Sequence, residues 1–196
     1  MDDIKSAREI AMEKTKELGE ATEGERLKWK YTPQGKELAA RYIKQGCNLV
    51  EELSKYEEKA RGYIITGAED VLIGNIGLPV NDSARRNNRK VMDGLKTLKS
   101  DKVGVENVFS KMRNIFKHYA EQGEQQRRQA YESLKAEFTA KIQQAVQQQL
   151  GSTLGLKIDV DNQPQFQAEW RKVRIQLDSQ YITLLNEYKQ ELKTVS

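Results

Sequence analysis

Apolar residues recur at steps of three and four along nearly all of this chain, and only three prolines (Pro33, Pro79, Pro164) interrupt it. That spacing follows the 3.6-residue turn of the α-helix and leaves little of the chain for sheet. Apolar residues make up 37% of the sequence and charged residues 32%, against about 45–50% and 25% in an ordinary globular domain. Thin apolar content on long charged helices makes narrow stripes rather than one thick core. The expected fold is therefore all-α: an elongated helical bundle or set of helical hairpins with coiled-coil-like long helices and one short extended linker. Regular apolar spacing and scarce proline argue against disorder, despite a mean hydropathy of -0.80.

The expectation is one all-helical domain over residues 1–196. Asp2 or Asp3 caps a first helix carrying Ile4, Ala7, Ile10, Ala11 and Leu18, closed by Gly19. Thr32 and Pro33 read as the cap and first residue of a second helix. Its stripe of Leu38, Tyr42, Leu49, Leu53, Tyr56 and Ala60 carries it at least to Arg61. Glycines 62, 67, 74 and 77 then punctuate an apolar run ending at Val80, read as a short helix over 68–73 and a turn. This completes an N-terminal part, 1–80.

Residues 81–150 form a basic and then Gln-rich part, capped by Asn81 or Asp82 and restarted at Ser100-Asp101. Val105, Phe109, Met112, Phe116 and Tyr119 alternate steps of four and three, a seam of coiled-coil type. The stripe lapses between Ala120 and Gln129 and resumes at Tyr131, Leu134, Phe138 and Ile142. Unbroken, this helix would run about 75 Å at ~1.5 Å per residue; Gly123 is the place for a kink or a hairpin. Residues 151–163 are a linker containing the one strand-like alternation, 154–160. A final helix over 164–196 carries Phe166, Trp170, Val173, Leu177, Tyr181, Tyr188 and Leu192.

Most catalytic chemistry needs histidine, cysteine or clustered carboxylates, and this chain has one His (His118) and one Cys (Cys47). A triad has no partners here, and a di-iron carboxylate bundle lacks its two Glu-x-x-His motifs. Gly62 and Gly67 have the gap of a phosphate-binding loop, but Ala68 and Glu69 stand where Lys and Ser/Thr are required. Asp159, Asp161 and Asn162 open like a calcium loop, but Gln163 and Pro164 break the pattern; helix capping is the simpler role for the acids. The sequence therefore calls for no enzyme, no cofactor and no metal. Tyr63, Glu69 and Asp70 would revive catalysis only if a deep pocket drew them together.

The net charge of +4 has a single source. Residues 83–119 hold ten bases and three acids, residues 63–82 hold three acids and no base, and the rest balances. Arg85, Arg86, Arg89, Lys90 and Lys96 would form one basic helix face within 85–102, able to contact phosphates or an acidic partner, with Asn87 and Asn88 adding hydrogen bonds. The helix lacks aromatics for base stacking and bulky apolars for a membrane surface. The functional expectation is a non-enzymatic helical scaffold or protein–protein interaction module, associating with itself through Phe109, Met112, Phe116 and Tyr119 or through the aromatic stripe of the last helix. The rival is a nucleic-acid-associated protein. No small-molecule substrate is implied, and Glu69 and Asp70 interrupt the most apolar stretch, so no membrane span is expected. An unpaired cysteine and an opening without an apolar run fit a cytoplasmic chain.

Overall fold

A computed structural model describes residues 22–150 and 159–196. Every regular element among them is helical: α1 (Glu23–Gln45), α2 (Leu49–Ser54), α3 (Glu58–Gly74), α4 (Asp82–Leu98), α5 (Lys102–His118), a π-helical turn (Tyr119–Gly123), α6 (Glu124–Leu150) and α7 (Pro164–Thr194). The all-α expectation holds. The helix expected over 4–18 and most of the extended linker at 154–160 lie outside the described residues.

Two compact units result. The first comprises the described residues up to Gly74 together with Asp93–Leu98, the second Asn75–Met92 with the described residues from Lys99 onward. In the first unit, α1 packs along α3. A Cβ on Gly35 would fall inside contact distance of the Ile64 carbonyl, and one on Gly67 would meet the Thr32 carbonyl. The two glycines thus let the backbones touch, with Leu38, Ala39, Ile64, Ala68 and Leu72 buried around the crossing.

Three boundaries differ from the expected ones. The helix placed at Pro33 begins about three turns earlier, because Thr22 and Glu25 form a capping box, with Thr22 N–H donating to Glu25 Oε2 at 2.8 Å. Pro33 is an interior residue, and the Gln34 side-chain amide donates to the Lys30 carbonyl at 3.2 Å beside it. The helix expected to reach Arg61 is interrupted. Gly46 takes the left-handed conformation (φ 76°) and donates to the Tyr42 carbonyl, and Asn48 caps α2. Tyr42 to Leu49 is a sum of helical steps, so the stripe passes through the break unmarked. Conversely, Gly62 and Gly67 do not divide α3, which is continuous; only Gly67 among them serves close packing.

In the second unit, Asp101 caps α5 by accepting from Gly104 N–H at 2.8 Å, and the Asn81 side chain accepts from Ala84 N–H at 2.8 Å, as their residue types imply. From Lys102 to Leu150 the helix is continuous through the π-turn, so Gly123 neither ends it nor folds it into a hairpin. The chain returns as α7, antiparallel to it: Lys111 pairs with Glu191 (2.6 Å), Arg127 with Asp178 (3.4 Å) and Lys135 with Asp161 (2.6 Å). Tyr119 is buried at this pairing against Tyr181; Phe166, Leu185 and Leu192 are buried on α7, and Val105, Phe109 and Met112 are buried on α5. The acids before α7 do not cap it. Gln163 is the N-cap residue and makes no side-chain cap bond, while Asp161 is drawn to Tyr131 and Lys135 on α6. A lysine across the pair outcompetes a helix terminus that already has Pro164 at its first turn.

Candidate functional site

The lapse in the apolar stripe at 120–129 is filled by a polar assembly centred on Arg127. The π-turn adds a residue to the helical turn and shifts which side chains face α7. Arg127, 12% exposed, reaches back across it. Its guanidinium lies 4.0 Å from the Tyr119 ring centre, donates to the Tyr119 carbonyl at 3.2 Å and pairs with Glu124 (2.9 Å) and Asp178. Asp178 is 16% exposed and also accepts weakly from the Tyr119 hydroxyl at 3.4 Å. Burial pushes the Tyr119 phenol above its usual range, and the Asp178 carboxylate adds to that shift. Tyr181 stacks edge-on against Tyr119 (5.2 Å), and its hydroxyl lies 2.9 Å from His118 Nδ1. A side chain at Gly123 would crowd Arg127 and Tyr181, so the glycine leaves room for the assembly.

Beside this network, a cleft of about 840 Å³ runs between α5 and α7. Ile115, Val173 and Leu177 give it an apolar floor; Leu184, the amides of Asn114, Gln126, Gln176 and Gln180, and Lys111 with His118 line its edges. Leu184 is 43% exposed, and Ile175 and Ile182 on the same helix are 62% and 45% exposed. Between Ile175 and Asn186 the one charged residue of α7 is Asp178, which is turned inward to Arg127. No group of three or more His, Cys, Asp or Glu among the described residues is placed to hold a metal ion.

The basic residues singled out in the sequence lie together on α4. Arg85, Arg86 and Arg89 are exposed, Lys90 is half-buried and Lys96 is exposed near the helix end. At 100° per residue these five cover one arc, but Asp82 and Asp93 fall within it, and Arg85 pairs with Asp82 at 3.1 Å. Asn87 and Asn88 are not available to a ligand. Asn87 donates to the Asn75 carbonyl (3.0 Å); Asn88, 4% exposed, accepts from Gly77 N–H (3.0 Å) and donates to the Gly77 carbonyl (2.6 Å). They tie down the segment before α4.

Of the seam residues, Phe109, Met112 and Tyr119 are buried within the chain and Phe116 is half-buried. Of these, Tyr119 meets α7 through Tyr181 and Asp178, and the open cleft lies on the neighbouring side of α5. Trp170 and Tyr188 are half-buried, Trp170 edge-on to Tyr131 and Tyr188 under the Lys111 ammonium. Tyr63 and Asp70 share one face of the continuous α3, but Asp70 is exposed there and the cleft is formed by other residues. No described helix is long and apolar enough to cross a membrane. Arg127 escaped the sequence reading because an arginine amid Glu and Gln looks like solvated surface; the available signal was Asp178, an acid inside an otherwise uncharged stretch of the facing helix.

This is an all-α protein whose long π-interrupted helix and antiparallel C-terminal helix frame an apolar-floored cleft. A model described as a family of unknown function (DUF6657) matches residues 50–194, well over half of the chain, and the chain belongs to that family. No curated protein and no solved structure matches it. The cleft, the Arg127 network and the basic face of α4 all lie inside the matched segment.

Proposed function

We propose that this chain is a non-enzymatic helical interaction module of the cytoplasm that assembles with itself through the face formed by α5 and α7. The observation that supports this reading is the cleft: an apolar floor edged by exposed Leu184 and neutral amides, with Lys111 at its edge already paired to Glu191, beside a stretch of α7 that carries no exposed charge over three turns. Interfaces are depleted of charge at their centres in the same way. Sedimentation of the full chain over a concentration series tests it. Association is expected, and Leu184→Glu, which sets a charge at the cleft edge without touching the buried core, should weaken it at least about tenfold. A chain that stays monomeric, or associates equally well with Leu184→Glu, overturns the reading.

A nucleic-acid role remains the second reading, favoured by one observation: Arg86 and Arg89 are exposed on α4 and make no ion pair among the described residues. Binding to labelled single- and double-stranded nucleic acid across a salt series tests it. Steep loss with salt, abolished by reversing Arg85, Arg86, Arg89 and Lys90 to Glu, would establish it; no binding at low salt would remove it.

A further inference from the structure

The exposed strip of α7 nearest the cleft has a symmetry of its own. Lys172, Gln176, Ser179, Gln180, Thr183 and Glu187 are all exposed and lie on one side of the helix at 100° per residue. Their spacings read four, three, one, three, four, the same in both directions about the midpoint between Ser179 and Gln180. The chemistry is palindromic as well. Reversing the strip sets lysine against glutamate at both ends, Gln176 against Thr183, and Ser179 against Gln180.

We infer that α7 of a second copy packs antiparallel on this strip, about a two-fold axis passing between Ser179 and Gln180, with Lys172 of each copy paired to Glu187 of the other. The inference rests on the self-association proposed above and specifies its surface and register. A parallel arrangement would set Lys172 against Lys172 and Glu187 against Glu187, which charge repulsion disfavours.

The hydrogen bonding within α7 supports the same pairing. The Ser179 hydroxyl donates to the Gln176 carbonyl (2.6 Å) and the Thr183 hydroxyl to the Ser179 carbonyl (3.0 Å). With their protons spent on the backbone, both hydroxyls face outward as acceptors. Gln180 and Gln176 of the other copy bring amide donors to those two positions, so both hydroxyls at the centre of the contact find a donor. Glu187 makes no ion pair among the described residues, and Lys172, bonded at 2.7 Å to Glu169, is 72% exposed and free to turn. The same two-fold rotation brings Ile182 of one copy beside Ile175 of the other along one edge, and Leu184 beside Leu177 along the cleft edge. The exposed apolar residues of α7 thereby line the two edges of a strip about 22 Å long.

The experiment is a charge swap on the full chain, read by sedimentation equilibrium. Lys172→Glu and Glu187→Lys each turn two attractive pairs per dimer into repulsive ones and should weaken association about tenfold, while the double variant should recover to within about threefold of the parent. In a Cys47→Ser background, Ser179→Cys sits next to the axis and should oxidise to a covalent dimer; Gln190→Cys, far from it, should not. Association that ignores the charge swap and gives no covalent dimer with Ser179→Cys overturns this register and leaves self-association standing. A monomer at every concentration overturns both.

Discussion

Arg127 occupies a place that a long-chain apolar residue could fill sterically, which separates its charge from its bulk. Arg127→Met keeps the stem over the Tyr119 ring but leaves Asp178, 16% exposed, without its cation and the Tyr119 carbonyl without a donor. We expect a loss of about 2 kcal/mol in urea unfolding, recovered in large part by adding Asp178→Asn, because most of the cost is the stranded carboxylate. Asn88 poses the neutral version of the same test. Asn88→Ala removes both partners of the Gly77 backbone in a buried setting, and should cost about 2 kcal/mol by the same measurement, whereas Asn87→Ala, at a half-buried site with one bond, should cost under about 1 kcal/mol. Neither role was legible locally. An asparagine beside four basic residues and an arginine beside glutamines both read as solvent-facing until a second element supplies what they bind.

At the scale of elements, the α1–α3 crossing and the α6–α7 clasp depend on different physics. Gly35→Ala or Gly67→Ala places a methyl against a backbone carbonyl, which cannot swing away as a side chain would. Each should destabilise the first unit by about 2–4 kcal/mol, read as early loss of helical circular dichroism on heating, while Gly62→Ala, facing open space, should be neutral or slightly stabilising. The clasp is electrostatic. Lys135, then Tyr131, hold the Asp161 carboxyl below its usual range, and Asp161 in turn raises Lys135. A lowered carboxylate contributes stability that is present above the ordinary carboxylate range and is lost as pH falls through the folded-state value. The stability difference between the parent and Asp161→Asn should therefore be full near neutrality and vanish in acid. On the alkaline side it should shrink again as Lys135 loses its proton. An unchanging difference across pH would show that the clasp is not ionic. Helix existence was readable from stripe and cap residues such as Asn81 and Asp101; the breaks at Gly46 and after Ser54 were not, because apolar spacing that skips a turn looks the same whether the helix continues or restarts.

For the molecule as a whole, α7 supplies the opposing face for Tyr119 and for the half-buried stripe of α6. A chain ending before Asp161 would uncover Tyr119, Tyr131 and Phe138 together, and should lose cooperative unfolding and monodispersity in size-exclusion chromatography; a well-folded, monodisperse product would refute the assigned pairing. Periodicity, capping chemistry and scarce proline were enough to specify an all-helical protein ending in a long C-terminal helix, since each depends on residues within a few positions of one another. The tertiary structure alone decided that the Val105–Tyr119 seam is interior, that Gly123 accommodates Arg127 within a continuous helix, and that Asn88 and Asp161 bind across the chain rather than serving a ligand or a cap. Those outcomes depend on which distant side chain arrives opposite. Burial and ion pairing are set by that meeting, and no spacing along one helix encodes it.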